Sequence, residues 1–593
     1  MPQLSSYYQK ELTLPDILRR AAIAPDKPYV GFLNDAGGED FLTYAELLKE
    51  AELIATGLWK EGVVQSDKVI IATESNRETL ILLWGCFLLG VVPTVLQPPP
   101  TFSGYNPPVV KLAKVYEQLN EPLVFMSKLP DSPDAPEFRY KTVAELDTTG
   151  VMPKVSIDPG SVAFIQFSSG STGDPKGIML THHNIMVNLD AIRIGLDFHP
   201  TEVTGNWMPL FHDMGLIGYH LTPLYCSIYQ WHIETIDFIK NPGLWLDLLT
   251  RQKVKITGCP NFGLALTLRF IKRMKNRPLW DFSSLQAILN GAEPISVQIM
   301  TDFIKELEPH NFRREAMMPV YGLAEATLAA TFTPLMTPPV ITAFDALILD
   351  RDHKAVEIEI QAGNVTDRNA GTGIITETGS IGFKAEGSDI GNYAVRLISG
   401  VGVPLNDISI KITDSEFNEV PEGTAGLISI KGESVTQGYY NRPEESKQVF
   451  RDGWFNTGDI GFLYKGNYYV SGRHKDIIFK NGRHYFANDL EELACNIEGI
   501  SYGKICFAGI TNHNTGQEEV IAFLAGSAGP KAEETFVQMR NLLRSTLGIT
   551  PDHLVMVRSN EIPKTSSGKL QRYKLLQRYL GGEFAQATVI SDK

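Results

Sequence analysis

The sequence predicts an α/β protein. A large N-terminal domain, residues 1–475, combines parallel and mixed sheets with helices and carries a β-rich subdomain, and a small α+β domain, residues 476–593, follows. Three observations predict this. Buried-looking strands alternate with amphipathic helices along the first half of the chain. Near Leu397 the texture changes to short alternating strands with turns. Then a polar run, Gly472-Arg-His-Lys-Asp476, sets off a last group of helices and strands. At 593 residues the chain is too long for one hydrophobic core.

Taken in order, Thr43-x-x-Glu46 has the form of a capping box and opens a helix toward Lys60, with Gly62 past its end. Asp67 to Thr73 reads as a parallel strand. Thr79 to Leu96 carries no charge over eighteen residues, the length at which a membrane span becomes possible. Gly90 and Pro93 divide it, so it reads instead as a buried helix ending near Leu89 and a short strand, Val91 to Leu96, before the stiff turn Pro98-Pro-Pro100. No integral membrane segment is expected. Ser161 to Phe167, Val203 to Met208, Val254 to Thr257 and Leu285 to Leu289 read as buried strands. Each is followed by a loop rich in Gly, Pro, Asn or His, as expected at the carboxyl ends of a parallel sheet, where ligands gather. The β-rich subdomain spans about 397–471, with strands at Ile408 to Ile412, Gly426 to Lys431 and Tyr468 to Ser471. In the small domain a helix (Ala487 to Ile497), strands (Lys504 to Ile510, Glu518 to Ala525) and a helix (Ala532 to Leu547) precede a basic end.

The 54 basic and 68 acidic residues leave a net charge of −14, which argues against a nucleic-acid footprint and against docking on anionic lipid. Any phosphate ligand must be held by local charge. Met1 to Arg20 mixes both signs of charge without an apolar core, so it is not a secretory signal. Five scattered cysteines with no C-x-x-C encode neither a disulfide framework nor a zinc site, and a reducing cytoplasm fits them.

The stretch from Phe164 to Asn184 reads as an apolar strand, a loop of small hydroxyl and glycine residues, and a helix start. Gly170 and Gly173 let backbone N–H groups approach an anion, Ser168, Ser169, Ser171 and Thr172 add short donors, and Lys176 adds a mobile positive charge. It is not a Walker A loop, because Lys176 precedes Gly177 where that pattern requires Gly-Lys-Ser/Thr. His182 and His183, at the helix start, read as capping or solvent-exposed residues. Five further stretches are dense in polar groups: Pro209-Leu-Phe-His-Asp-Met-Gly-Leu216, Asn290-Gly-Ala-Glu-Pro294, Tyr321-Gly-Leu-Ala-Glu325, Thr457-Gly-Asp459 and Pro563-Lys-Thr-Ser-Ser-Gly-Lys569.

In their order and spacing these motifs resemble the acyl-adenylate-forming superfamily, which includes acyl-CoA synthetases, luciferases and the adenylation domains of peptide synthetases. The sequence is most similar to the fatty acyl-AMP ligases. Three features carry that likeness: the form Pro209-Leu-Phe-His-Asp-Met-Gly-Leu-Ile-Gly218, the run Cys259-Pro-Asn-Phe-Gly-Leu-Ala-Leu266, and extra chain within about 337–396 that corresponds to the insertion marking those ligases.

The resemblance implies attack by a fatty carboxylate on the α-phosphorus of ATP, with release of pyrophosphate. An acyl-adenylate results, and its acyl group then passes to the phosphopantetheine thiol of an acyl carrier protein supplied in trans. The alternatives are a long-chain acyl-CoA synthetase and a non-catalytic acyl-adenylate-binding protein. A carboxylate is already ionised at neutral pH, so the protein's task is neutralisation of charge and alignment rather than base catalysis. Carried onto this sequence, Ser168 to Lys176 would wrap the β- and γ-phosphates. Tyr321 would stack on the adenine within the Tyr321, Gly322, Leu323, Ala324 stretch, and Gly291, Ala292 and Glu293 would line its other face and edge. Glu325 would hold Mg²⁺, Asp459 would accept the ribose hydroxyls assisted by Arg473, and His212 would lie near the carboxylate or α-phosphate. Lys569 would reach over from the small domain, a mobile lid, to the carboxylate and α-phosphate. Asp476 would be the hinge. Trp207, Met208, Met214, Ile217, Asn261 and Phe262 lie in the loops expected to flank the acyl chain.

Overall fold

The computed structural model of the chain describes residues 12–34, 37–102, 106–168, 174–358, 360–361, 364–367, 371–375, 381–383, 395–480, 483–511, 518–526, 529–564, 569–584 and 589–591. The fold is α/β. A large N-terminal part of mixed sheets and helices carries an antiparallel β-rich region and is followed by a smaller α+β subdomain.

A nine-stranded sheet forms the centre of the large part. Tyr29–Leu33, Tyr229–Ile233, Val203–Asn206, Ile256–Gly258, Ala287–Asn290 and Met317–Gly322 run parallel, and antiparallel strands close both ends. Most residues of these strands are buried, the polar Thr204, Asn206, Gln230 and His232 along with the apolar ones, as in a parallel sheet covered on both faces. A second, four-stranded parallel sheet contains Lys68–Ile71 and Val92–Val95. Between those two strands lies the helix Asn76–Leu89, almost wholly buried and ended by Gly90 in the left-handed conformation. The uncharged stretch is therefore a core helix and strand, and among the described residues no helix is long and apolar enough to cross a membrane. The expected capping box forms: Thr43 Oγ1 accepts from the Glu46 N–H, and the Glu46 carboxylate accepts from the Thr43 N–H at 2.9 Å.

One expectation needs correction. The strand Val162–Phe167 does not join a parallel sheet and is not followed directly by a helix. It pairs antiparallel with Gly177–Thr181, so the Ser168–Lys176 run connects the arms of a hairpin. The reason lies in Ile178, Met179 and Leu180, which alternate between core and partly exposed positions as strand residues do. The helix begins only at His182, capped by Thr181 with Asn184. His182 neither caps nor faces solvent: it is buried, and its Nδ1 accepts from the Leu14 N–H at 3.2 Å. His183 is partly buried, 2.9 Å from Glu433 Oε2.

The antiparallel region is a five-stranded sheet that includes Gly426–Gly432, Trp454–Tyr464 and Asn467–Arg473. The C-terminal subdomain has its own apolar clusters, built on a four-stranded sheet with the helices Ala487–Ala494, Pro530–Leu547 and Arg572–Leu580. The chain crosses into it through Arg473 and the short turn His474–Asp476.

Candidate active site

The strand Met317–Gly322 turns back into Ala329–Phe332 through a bulge at Tyr321 and Gly322. Here the Leu328 carbonyl comes so close that a β-carbon on residue 322 would lie 2.0 Å from it, so glycine is required. The turn aims the Tyr321 hydroxyl at Asp459, whose Oδ2 accepts from it at 2.7 Å. Asp459 projects from the strand Trp454–Tyr464, and its N–H is held by Thr457 Oγ1 at 3.1 Å. Arg473, its cross-strand partner, donates from Nε to Asp459 Oδ1 at 3.2 Å. The pair raises the pKa of Arg473 above its ordinary value.

The loop after Ala287–Asn290 holds Ala292 at a φ of +69°, a conformation that costs a non-glycine residue energy and recurs at binding sites. Next to it, Glu293 accepts from the Phe262 N–H and from the Tyr502 hydroxyl, each at 3.0 Å. Glu325 Oε1 accepts from the Tyr439 hydroxyl at 3.1 Å. Burial raises the pKa of both glutamates. Lys176 Nζ lies 2.8 Å from Glu445 Oε2 and 4.9 Å from the centre of the Tyr439 ring. His212 Nδ1 lies 2.6 Å from Asp213 Oδ1.

Lys569 reaches this place from the C-terminal subdomain. It is surrounded by the charges of Arg473, Asp213, Glu293 and Asp459, and burial together with Arg473 pulls its pKa down. Asp476 Oδ2 lies 3.1 Å from Arg572 Nη1, and the same guanidinium grips Glu491 at 2.5 Å.

Apart from Glu445, these groups line one cavity of about 690 Å³. Of the residues expected from sequence, it brings together Ser168, Lys176, His212, Ala292, Glu293, Tyr321, Gly322, Leu323, Ala324, Glu325, Asp459, Arg473, Asp476 and Lys569. Gly291, packed against Val320, does not line it, while Ser169, Gly170, Ser171, Thr172 and Gly173 lie outside the described residues. Of the acyl-flanking set only Met214 and Phe262 line the cavity. Trp207 is stacked on Phe238 with ring centres 3.8 Å apart, and Met208 and Ile217 belong to the apolar clusters. Asn261 braces the backbone, donating to the Pro294 carbonyl at 2.6 Å and accepting from the Ser296 N–H. The apolar wall comes instead from Gly218, Tyr219, Leu289, Leu328 and Phe332 beside Met214.

Sequence reasoning missed Tyr439, Tyr502, Glu445 and Arg572. Only Arg572 carried a signal, lying three residues beyond Lys569 in the same basic stretch; the others stand in no motif.

Comparison with known proteins fits this arrangement. A 27% identical match over 97% of this chain and 96% of its own length is a medium-chain-fatty-acid–[acyl-carrier-protein] ligase of Moorena producens, JamA. A Caulobacter vibrioides protein named as an acyl-CoA synthetase is 29% identical over 92% of this chain and 91% of its own. Among solved structures, one from a study of fatty acyl-adenylate ligases of E. coli and L. pneumophila is 27% identical, with a TM-score of 0.82, covering 97% of this chain and 98% of that one. Residues 17–360 match the family model described as AMP-binding enzyme, and with that match over more than half its length the chain belongs to the AMP-binding enzyme family.

Proposed function

We propose that the protein activates a fatty acid with ATP and passes the acyl group to the phosphopantetheine thiol of an acyl carrier protein. One observation carries this reading. Lys569 of the C-terminal subdomain, the Tyr321–Asp459–Arg473 cluster and an apolar wall share one cavity. In the first step a carboxylate oxygen of the acid attacks the α-phosphorus, the bond to the bridging oxygen breaks, and pyrophosphate leaves with the electron pair. Asp459 accepts the ribose hydroxyls, Tyr321 and Ala292 flank the base, and Lys569 places positive charge where negative charge builds. Burial beside Arg473 lowers the pKa of Lys569, and in such a partly desolvated place its charge pulls more strongly on an anion. In the second step the thiol gives up its proton to solvent, its sulfur attacks the acyl carbon, the bond from that carbon to the phosphate oxygen breaks, and AMP departs with the electron pair.

Mg²⁺ is bound in such sites by one or two carboxylates and by phosphate oxygens. Glu325 fits: it lines the cavity, Tyr439 fixes one of its oxygens, and burial lifts its pKa so that a neighbouring cation favours its ionised form. When bound, the ion would supply neutralisation of phosphate charge. The five free thiols accord with a cytoplasmic enzyme.

The test supplies ATP, Mg²⁺ and laurate with either CoA or a holo carrier protein and follows acyl-adenylate and thioester by mass spectrometry. Adenylate in both arms with thioester only on the carrier is the expected result. Rapid acyl-CoA formation would make the protein an acyl-CoA synthetase.

A further inference from the structure

Lys111 lies on the helix Pro107–Gln118, outside every motif described above. Its ammonium donates to the Phe167 carbonyl at 3.1 Å, at the end of the strand that leads into the Ser168–Lys176 run, and it lines the same cavity as Ser168 and Lys176. Among the described residues no carboxylate pairs with it. A second cation, Lys574 on the C-terminal helix Arg572–Leu580, lines the same cavity and likewise has no carboxylate partner among the described residues.

Neighbouring cations are treated differently. Lys176 has Glu445 at 2.8 Å, Lys114 has Asp174 at 2.5 Å, Arg473 has Asp459 at 3.2 Å and Arg572 has Asp476 at 3.1 Å. Burial, then Lys574, brings the pKa of Lys111 down to about 8, and burial with Lys114 lowers that of Lys574. Two ammonium groups brought into one cavity, Lys111 by the large part and Lys574 by the subdomain, repel each other unless an anion comes between them.

We infer that Lys111 and Lys574 form a two-sided subsite for a polyphosphate, taking the terminal phosphates of ATP and then the released pyrophosphate. This rests on the adenylating activity proposed above.

The test is calorimetric titration of the full-length protein with ATP and, separately, AMP, both with Mg²⁺ and without fatty acid. Lys111→Met and Lys574→Met are each expected to weaken ATP binding about tenfold while leaving AMP binding within about twofold, and Lys111→Arg is expected to retain ATP affinity. Unchanged ATP affinity in either methionine variant overturns the two-sided subsite. Equal loss for ATP and AMP also overturns it, since that would mark a structural role. No turnover is measured, so a protein that binds ATP yet adenylates no carboxylate would sink the proposed activity and still leave this result readable.

Discussion

Arg396 Nη2 lies 2.7 Å from Asp489 Oδ2, joining the strand Val395–Ser399 of the large part to the first helix of the C-terminal subdomain. The same guanidinium meets Asp350 at 3.0 Å, on the helix Ala346–Asp352, and lies over the Phe486 ring. Burial raises the pKa of both aspartates, that of Asp489 to about 7, so Arg396 is what makes their burial tolerable. Arg396→Met should cost about 3–5 kcal/mol, the range for removing one partner of a buried pair, and much of this should fall on subdomain docking. The chain at 472–476 should then be cut faster in limited proteolysis. Adding Asp489→Leu should partly restore protection; no change in cleavage rate would mean that the contact does not hold the subdomain.

Asp459→Asn keeps the shape of the side chain and removes the charge that Arg473 and the Tyr321 hydroxyl both address. Hydrogen bonds to charged groups contribute about 1.5–3 kcal/mol, so AMP affinity should fall roughly ten- to a hundredfold by calorimetry. Tyr321→Phe loses one neutral donor and should cost less.

These residues could be read from sequence because each stands in a short stretch whose polar types have few purely structural uses. Lys111 could not: one lysine on an amphipathic helix looks the same whether it faces solvent or a buried carbonyl. Trp207 and Phe262 posed the opposite difficulty. Both are apolar, near the right loops, and in edge-to-face contact, yet only Phe262 reaches the cavity. Sequence specifies that such a residue is buried; the packing of its neighbours decides whether it is buried against protein or against ligand. The parallel strands were legible as apolar runs bounded by turn residues. The Val162–Phe167 hairpin was not, since an apolar strand does not announce the direction of its partner.

Lys569→Ala should reduce acyl-adenylate formation about a hundred- to a thousandfold, the scale for removing a group that meets charge only in the transition state. AMP affinity should change little, because Asp459, Arg473 and Tyr321 remain in place. Undiminished adenylation, measured as fatty-acid-dependent pyrophosphate release, would show that the lysine has no part in the chemistry.

Gly218 lines the apolar wall, and a β-carbon added there would lie 3.1 Å from Leu328 Cδ2. Gly218→Val should narrow the cavity on that side. Activity across saturated acids from hexanoate to palmitate should shift toward the shorter members, while the KM for ATP stays near that of the parent protein. A uniform fall at every length would point to a folding defect instead.

Three buried histidines set a pH dependence of stability that can be isolated from its surroundings. His220 Nε2 accepts from Trp84 Nε1 at 2.8 Å, while its Nδ1 lies 2.9 Å from Gln230 Oε1. His232 Nε2 lies 2.8 Å from the same oxygen, and its Nδ1 lies 3.2 Å from the Asn206 amide. Each ring thus has one nitrogen beside an acceptor and the other beside a donor, which suits the neutral form. His182 accepts from Leu14. Burial holds their pKa values at about 4, 4 and 3 for His182, His220 and His232. Unfolded, each would titrate near 6.5, so between about pH 6.5 and 4 the unfolded chain binds protons that the folded one refuses, and stability falls as pH falls. The slope is roughly 1 kcal/mol per pH unit for each histidine. Glu234 and Asp489 act in the opposite direction. With folded pKa values raised to about 7, they gain protons on folding in this window and add stability as pH falls. The sum over the whole protein therefore conceals the histidine contribution, and a difference measurement recovers it. Denaturant unfolding of the parent protein and of His232→Gln, each at steps from pH 7 to 4, should give a stability difference that moves in favour of the variant as pH drops below 6.5. A flat difference across that range would mean that His232 is not held neutral by the fold.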